Sequence, residues 1–314
     1  MTAARSCACA SPSRSRSLAS LALTQLSGST YVALGATNVG VYAPGDGRAI
    51  LVDSGNDDDA GRKILRACEA AGLLVSCIAN THSNADHCGG NAFIQARTDC
   101  RIAASRAEAA FIEEPALEPS FLWGGFPLPP LRNKFLMAKG SRVTELLSAP
   151  CPVPGTGLDA LPLPGHYVGM VGFMTPDRVF FAADSVASVD ILRKYSYYFV
   201  YDVAAHLATL DALAAIAADW FVPSHAEPTR EIEPLAAANK AKILEVGERI
   251  LELCSEPSTP ESLAARLAES YALELNHTQY ALLGSTLRSY LSWLADRGLV
   301  ASRLEANRLL IERK

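Results

Sequence analysis

The stretch 80–90, NTHSNADHCGG, decides how this chain of 314 residues is read. His82, Asp86 and His87 fall within six residues of one another, ahead of the pair Gly89 and Gly90. Imidazole and carboxylate together suit Zn²⁺, and also Fe or Mn. Glycines carry no Cβ, so backbone can pass close to such a cluster. The apolar run 74–79 (LVSCIA) just before it reads as a buried strand, which makes the stretch a tight loop at a strand end running into a helix. Asn84 interrupts the pattern. It offers only a neutral amide oxygen, a weaker ligand than imidazole for Zn²⁺.

Working outward, the chain has six histidines, and four of them stand in contexts a metal site uses: His82, His87, His166 and His225. The other two, His206 and His277, sit inside helical patterns and read as ordinary core or surface histidines. His166 follows the run LPLPG, Asp184 follows VFFAA, and His225 follows WFVPS, each an apolar strand-like segment. Strands of one sheet system deliver their terminal residues to a common edge, so these separated groups are expected to converge there. A carboxylate has two oxygens, and Asp184 is suited to bridging two ions. A metal there lowers the pKa of bound water toward neutral and polarises a scissile group, with no Ser or Cys nucleophile required.

Strands are expected at 31–34, 39–42, 49–52 and 73–79, with a helix over 60–71 stopped by Gly72. Strand then alternates with helix as far as Phe221, which implies an α/β layered domain. Residues 114–165 are rich in Pro and Gly and carry the aromatic segment PSFLWGGFPLPPL, so they are expected to form an irregular lid or insertion facing substrate. Past His225 the pattern becomes helix 235–254, helix 261–271, helix 277–297, then two short strands around Glu305 to Asn307, a winged-helix-like order. Such modules often meet DNA, but residues 240–314 hold ten Lys or Arg against ten Asp or Glu. That neutral balance favours a packing or dimerisation module over a phosphate-binding one.

Bulk composition agrees. The chain is 49% hydrophobic and 19% charged, with net charge -5, which supports a sizeable core and gives no basic surface for nucleic acid or anionic membrane. No run approaches the roughly 18 apolar residues of a membrane span. The eight cysteines are scattered through apolar segments without a paired framework, as in a reduced cytoplasmic protein. Cys88, next to His87, is read as a small packed side chain, with a ligand or oxidation-sensitive role as the alternative. The first twenty residues are Arg- and Ser-rich, and no acid precedes Asp46; they read as a disordered tail.

In this order the motifs resemble the metallo-β-lactamase fold hydrolases, whose pattern is H-x-H-x-D-H, then a distant His, a bridging Asp and a last His. The matching residues are His82, Asp86 and His87, then His166 in LPGHYVGM, Asp184 in FFAADS and His225 in FVPSHAEP, with Asp53 of ILVDSG at the family's supporting strand-end aspartate. The resemblance runs from about residue 25 to about residue 227, and the C-terminal segment is similar to a winged-helix-like extension of some members. It implies a four-layer αβ/βα sandwich over 21–232, followed by a small helical domain over 233–314. It also implies two metal positions. One would use His82, His166 and the residue at 84; the other would use Asp86, His87 and His225; Asp184 would bridge them. With Asn84 at the first, the expectation is one tight Zn²⁺ and a second, weaker one.

The implied activity is that of a metal-dependent hydrolase acting on a small ester, thioester, lactone or amide. A metal-bound hydroxide would attack the carbonyl, Asp86 would orient the ion and water, and Tyr167, Tyr195, Tyr197 or Tyr198 would be candidate hydroxyl donors. The alternatives are a phosphodiesterase or nuclease on the same site, and a catalytically reduced scaffold that binds nucleic acid or regulates. The expected partner is a small-molecule substrate.

Overall fold

A computed structural model describes residues 21–195 and 198–314. The tail expected over 1–20 lies outside the described residues, as do Tyr197 and the side chain of Tyr195.

The first sheet holds seven strands in sequence order. Strands β1 (Leu23–Ser27), β2 (Thr30–Ala33), β3 (Val39–Tyr42) and β4 (Arg48–Val52) form an antiparallel meander. Strands β5 (Leu74–Ala79), β6 (Arg101–Ser105) and β7 (Glu145–Leu147) continue it in parallel. Parallel neighbours need crossovers, and helices supply them. Helix α1 (Asp58–Ala70) joins β4 to β5; α2 (Ala85–Cys88) and α3 (Asn91–Thr98) join β5 to β6; α4 (Arg106–Glu113) and α5 (Leu117–Trp123) lie between β6 and β7. Helix α1 starts where Asp57 accepts from the backbone N–H groups of Asp59 and Ala60, which satisfies two donors its first turn would leave orphaned.

The second sheet has five strands: β8 (Cys151–Pro152), β9 (Asp159–Pro162), β10 (Val171–Met174), β11 (Val179–Ala187) and β12 (Trp220–His225). Only β11 and β12 pair in parallel, with α6 (Val189–Tyr195) and α7 (Val203–Leu213) in their crossover.

Side-chain alternation builds the layers. Ile50, Val52, Cys77 and Ala79 of the first sheet meet Phe173, Val179, Phe181 and Val222 of the second between the sheets. Leu51, Ile78 and Ile102 point the other way, under Ile64 and Cys68 of α1 and Ile94 of α3. Phe180 and Ala182 turn outward against Leu210 and Leu213 of α7. A strand buried on both faces needs apolar residues at every position, which is why AILV and LVSCIA read as unbroken runs.

The chain ends in α8 (Glu233–Leu253), α9 (Pro260–Ser270), α10 (His277–Asp296) and the hairpin β13 (Val300–Glu305) and β14 (Arg308–Arg313), the order of elements read from sequence. Asn276 and Gln279 close a capping box at the start of α10. Ala306 and Asn307 both take positive φ, as a two-residue hairpin turn requires.

Residues 114–165 depart from the irregular stretch expected of them. They contain α5 and three strands of two to four residues: β7 and β8 at the sheet edges, and β9 between β8 and β10 with Pro162 at its end. Residue 184 also differs: β11 does not stop before Asp184 but runs through it. The pairing with β12 is irregular there, and Ala183 has φ 50. A left-handed alanine costs about 1–2 kcal/mol, a strain placed beside a site residue.

Candidate metal centre

The six sequence-predicted groups converge on the rim between the two sheets. His82, Asp86 and His87 come from the loop after β5 and from α2, His166 from the loop after β9, Asp184 from β11, and His225 from the end of β12. Two groups of side chains bring their donor atoms within 4.8 Å of one another: His82, His87 and Asp184, and Asp86, His87 and His225. The second group is the trio expected for one ion. In the first, His82 pairs with His87 and Asp184 rather than with residue 84. His166 stands nearby, its Nε2 3.6 Å from Asp184 Oδ2 and its ring centroid 5.3 Å from that of His82.

Asp184 reaches histidines of both expected sets. Its Oδ1 lies 3.3 Å from His87 Nε2, and its Oδ2 lies 3.3 Å from His225 Nε2 and 3.6 Å from His166 Nε2. Asp86 Oδ2 is 3.2 Å from His225 Nε2 and accepts a 3.1 Å bond from Thr37 Oγ1.

Asp53 sets the tautomers. Its backbone takes the left-handed conformation, φ 64, and its buried carboxylate accepts from Thr81 N at 2.8 Å, Thr81 Oγ1 at 2.8 Å and His87 Nδ1 at 2.9 Å. The Thr81 hydroxyl proton is thereby committed to Asp53, so Thr81 Oγ1 accepts from His82 Nδ1, 2.9 Å away. Both imidazoles hold their proton on Nδ1 and turn a lone pair at Nε2 into the site. His225 does likewise through Nδ1 to Ala36 O at 2.8 Å. An orienting partner on the far nitrogen is the arrangement metal-ligating histidines use.

Orphaned atoms supply the fit test. Among the described residues, the buried atoms without a hydrogen-bond partner include His82 Nε2, His87 Nε2, both ring nitrogens of His166 and Asp184 Oδ1. Lone pairs gathered so closely repel unless a cation lies among them. Electrostatics agree. Burial opposes charge on His225, yet Asp184 and Asp86 push its pKa up to about 11; His87 is likewise raised well above the ordinary histidine value by Asp184, Asp86 and Asp53 against its burial. His82 and His166 go the other way, lowered chiefly by burial. The negative potential that favours a proton on His87 and His225 also favours a divalent cation.

The glycine pair works differently from the sequence reading. A Cβ on Gly89 would meet the backbone of Asn56 at 2.4 Å, and one on Gly90 would meet Ser54 O at 2.3 Å. The pair lets the ligand loop close onto the loop after β4, where Asp53 sits, rather than onto the ligands. Gly165, with φ 123, lets α7 approach: a Cβ there would lie 2.3 Å from the His206 backbone. His206 itself is a core histidine, hydrogen-bonded to Tyr198 OH at 3.2 Å and lowered to about 3 chiefly by burial.

Two acids escaped the sequence reading. Glu108 on α4 is fully buried and accepts from Ser83 N at 2.9 Å and Gly169 N at 2.6 Å, tying the 82–87 loop to the loop that carries His166. Glu118 on α5, also buried, accepts from Asn84 Nδ2 at 3.0 Å through Oε1 and from Tyr167 OH through Oε2. Burial raises both, Glu118 well above the ordinary range with Glu108 and Asp86 adding to it. The signal was there: Glu108 and Ile112, and Glu118 and Leu122, share buried helix faces at i, i+4 spacing. Tyr167 and Tyr198 commit their hydroxyls to Glu118 and His206, so neither stands as a free donor to substrate. Cys88 donates to Ser83 O at 3.1 Å, is buried, and has its thiol pushed well up by burial; it packs the loop and does not face the site.

Comparison with known proteins agrees with this geometry. Residues 32–225 match the family model described as the metallo-beta-lactamase superfamily. The chain is 30% identical over 156 residues to a hydroxyacylglutathione hydrolase of Hyphomonas neptunium, a match spanning 49% of this chain and 49% of that protein, about half the length of each. It is 26% identical over 226 residues to a hydroxyacylglutathione hydrolase of Bradyrhizobium sp., covering 70% of this chain and 75% of that one. Among solved structures, a metallo-beta-lactamase family protein of Thermus thermophilus superposes with TM-score 0.70 at 21% identity, over 88% of this chain and 94% of that one.

The chain belongs to the metallo-beta-lactamase superfamily. Its gathered histidines and carboxylates could hold a divalent ion. Among the described residues no helix is long and apolar enough to cross a membrane.

Proposed function

We propose that the protein hydrolyses a small-molecule ester or thioester, with lactones and amides as chemically related substrates, and that zinc is the ion. The observation that carries this reading is the set of buried, partnerless Nε2 atoms of His82, His87 and His166 gathered about Asp184. Thioesters come first because the two curated relatives are named hydroxyacylglutathione hydrolases, and hydroxyacylglutathione is a thioester.

Asp86, His87, Asp184 and His225 would hold one ion tightly. His82 and His166, with Asn84 as a weak third donor, would hold a second less tightly, with Asp184 between the two. A divalent ion in this place supplies a polarised carbonyl and a water of near-neutral pKa. The chain's own groups do the rest. Asp53 keeps the Nε2 lone pairs of His82 and His87 aimed inward, through Thr81 in the first case. Asp86 has its side chain 42% exposed against 13% for Asp184, so it is the site carboxylate that meets incoming water and substrate. Thr37 Oγ1 fixes its orientation.

The test joins metal analysis to a substrate panel. Full-length protein purified without added metal is assayed for zinc, iron and manganese, then against an aryl ester, an acyl thioester, a lactone and a phosphodiester. The expected result is bound zinc with ester or thioester cleavage, lost in His87→Ala. Turnover confined to the phosphodiester would overturn the substrate class; a protein that takes up no metal would overturn the reading altogether.

A further inference from the structure

Position 84 is where this chain departs from its family's ligand pattern, and the structure places a buried acid there. Asn84 does not cap α2 with its side chain; its amide Nδ2 donates to Glu118 Oε1 at 3.0 Å. Glu118 is itself fixed at its other oxygen by the Tyr167 hydroxyl. The Tyr167 ring is fully buried in an aromatic box, with centroids 5.7 Å from Phe111, 6.1 Å from Phe121, 5.9 Å from Phe199 and 6.0 Å from His82. The carboxylate therefore has little room to turn.

A primary amide is planar, with oxygen and nitrogen on opposite sides of its axis. Once the nitrogen is committed to Glu118, the oxygen must face away from that acid. The flipped amide would set its oxygen against Glu118 Oε1, acceptor against acceptor, whether the acid is ionised or carries its proton on Oε2 toward Tyr167. One orientation is thereby selected, in a residue whose neighbours in the loop are His82 and Asp86.

We propose that Glu118 is a positioning residue that locks the Asn84 amide with its oxygen as the third donor to the weaker ion, beside His82 and His166. Asn84 is then a working ligand whose aim comes from α5. The inference rests on the two-position metal reading above. It explains why a buried acid without a basic partner is kept beside the site: it accepts from an amide and a phenol, one on each of the two ligand loops. It also predicts which replacements succeed. A glutamine at 118 still offers an oxygen to Asn84 Nδ2 and turns its own amide N–H to Tyr167. A leucine fills the same space and offers nothing.

The test is zinc titration of the full chain against a chromophoric chelator, for the wild type and for Asn84→Ala, Glu118→Leu, Glu118→Gln and the double variant Asn84→Ala/Glu118→Leu. The wild type should show a tight and a weak step. Asn84→Ala and Glu118→Leu should each weaken the second step about 10- to 100-fold, as loss of an orienting partner does, and leave the first within about threefold. The double variant should be no worse than either single one, because both act through the same oxygen. Glu118→Gln should stay within about threefold of the wild type. Equal losses in Glu118→Gln and Glu118→Leu, additive losses in the double variant, or an unchanged second step in Glu118→Leu would each overturn the proposal. Should Glu118→Leu not fold, Tyr167→Phe replaces it: it keeps the ring and frees one end of the carboxylate, and an unchanged second step there overturns the proposal equally. A wild type that binds zinc while the variants behave otherwise than stated sinks this inference alone; a wild type that binds none sinks the metal reading beneath it.

Discussion

Asp53→Asn tests the logic of the centre most sharply, because it changes one atom in a buried group and leaves the shape intact. In the wild type, Asp53 Oδ2 accepts both the Thr81 hydroxyl and His87 Nδ1–H, at 2.8 and 2.9 Å. Backbone Thr81 N already donates to Oδ1 at 2.8 Å, so the amide oxygen of an asparagine must take that place and its NH₂ must take the place of Oδ2. Two donors then face two donors. The relief is for His87 to move its proton to Nε2 and accept at Nδ1. The Thr81 hydroxyl turns away toward His82 Nδ1, 2.9 Å off, and His82 also moves its proton to Nε2. One substitution thus turns both inward lone pairs into N–H groups, as tautomer inversion does in other His–Asp pairs.

Restoring the ligating tautomer breaks a buried hydrogen bond at each histidine, about 1–3 kcal/mol apiece. That matches the 10- to 100-fold loss of metal affinity typical of an orienting partner, about 1.4–2.7 kcal/mol. The chelator competition assay should show this loss in both zinc steps. Nitrogen-resolved NMR, recorded before zinc is added, should show His82, which burial keeps neutral, as the Nδ1–H tautomer in the wild type and as Nε2–H in the variant. Zinc affinity within about twofold of the wild type, or an unchanged tautomer at His82, would refute the reasoning.

Other outcomes follow from the same contacts. Glu108→Ala leaves the Ser83 and Gly169 N–H groups buried without an acceptor, at about 1–3 kcal/mol each; urea unfolding should show a loss of about 2–6 kcal/mol, with Glu108→Gln between it and the wild type. Cys88→Ala should keep full activity and lose about 1 kcal/mol of stability, and the native protein should resist thiol alkylation at Cys88, whose sulfur is buried and bonded to Ser83 O. His206 gives an acid-sensitive term: its folded pKa of about 3 lies below the ordinary 6.5, so its contribution is complete above pH 6.5 and is lost as pH falls through about 3. Over that window stability should decline by about 1.4 kcal/mol per pH unit, and urea unfolding of His206→Gln at pH 6.5 and 4.5 should show that slope reduced by one proton.

Much of the centre was legible because metal ligation imposes residue type and spacing on a single chain. The apolar runs ahead of His82, Asp184 and His225 fall in β5, β11 and β12, and strands that share a rim gather their polar residues there. Asp53 was legible for the same reason. The supporting contacts were not. Glu108 and Glu118 lie on helices, act on backbone or amide groups, and belong to no spacing pattern; only their share of a buried helix face marks them. The strands of 114–165 were hidden because runs of two to four residues carry too little periodicity to stand out. Asp184 was placed after its strand because nothing in FFAADS shows that the backbone kinks at Ala183 and continues.

Helix α5 has a second neighbour. Its Leu122, with Leu131 and Leu136 of the segment that follows, packs on Ala281 of α10, and Asn133 Nδ2 donates to Thr278 Oγ1 at 3.0 Å. The element that grips Asn84 on one side is thus seated on the C-terminal helices on the other. Those helices serve as a keel: shorten them, and the tilt of α5 and the aim of a side chain far from the cut would shift together. A change in the C-terminal helices therefore reaches the Glu118–Asn84 contact through α5.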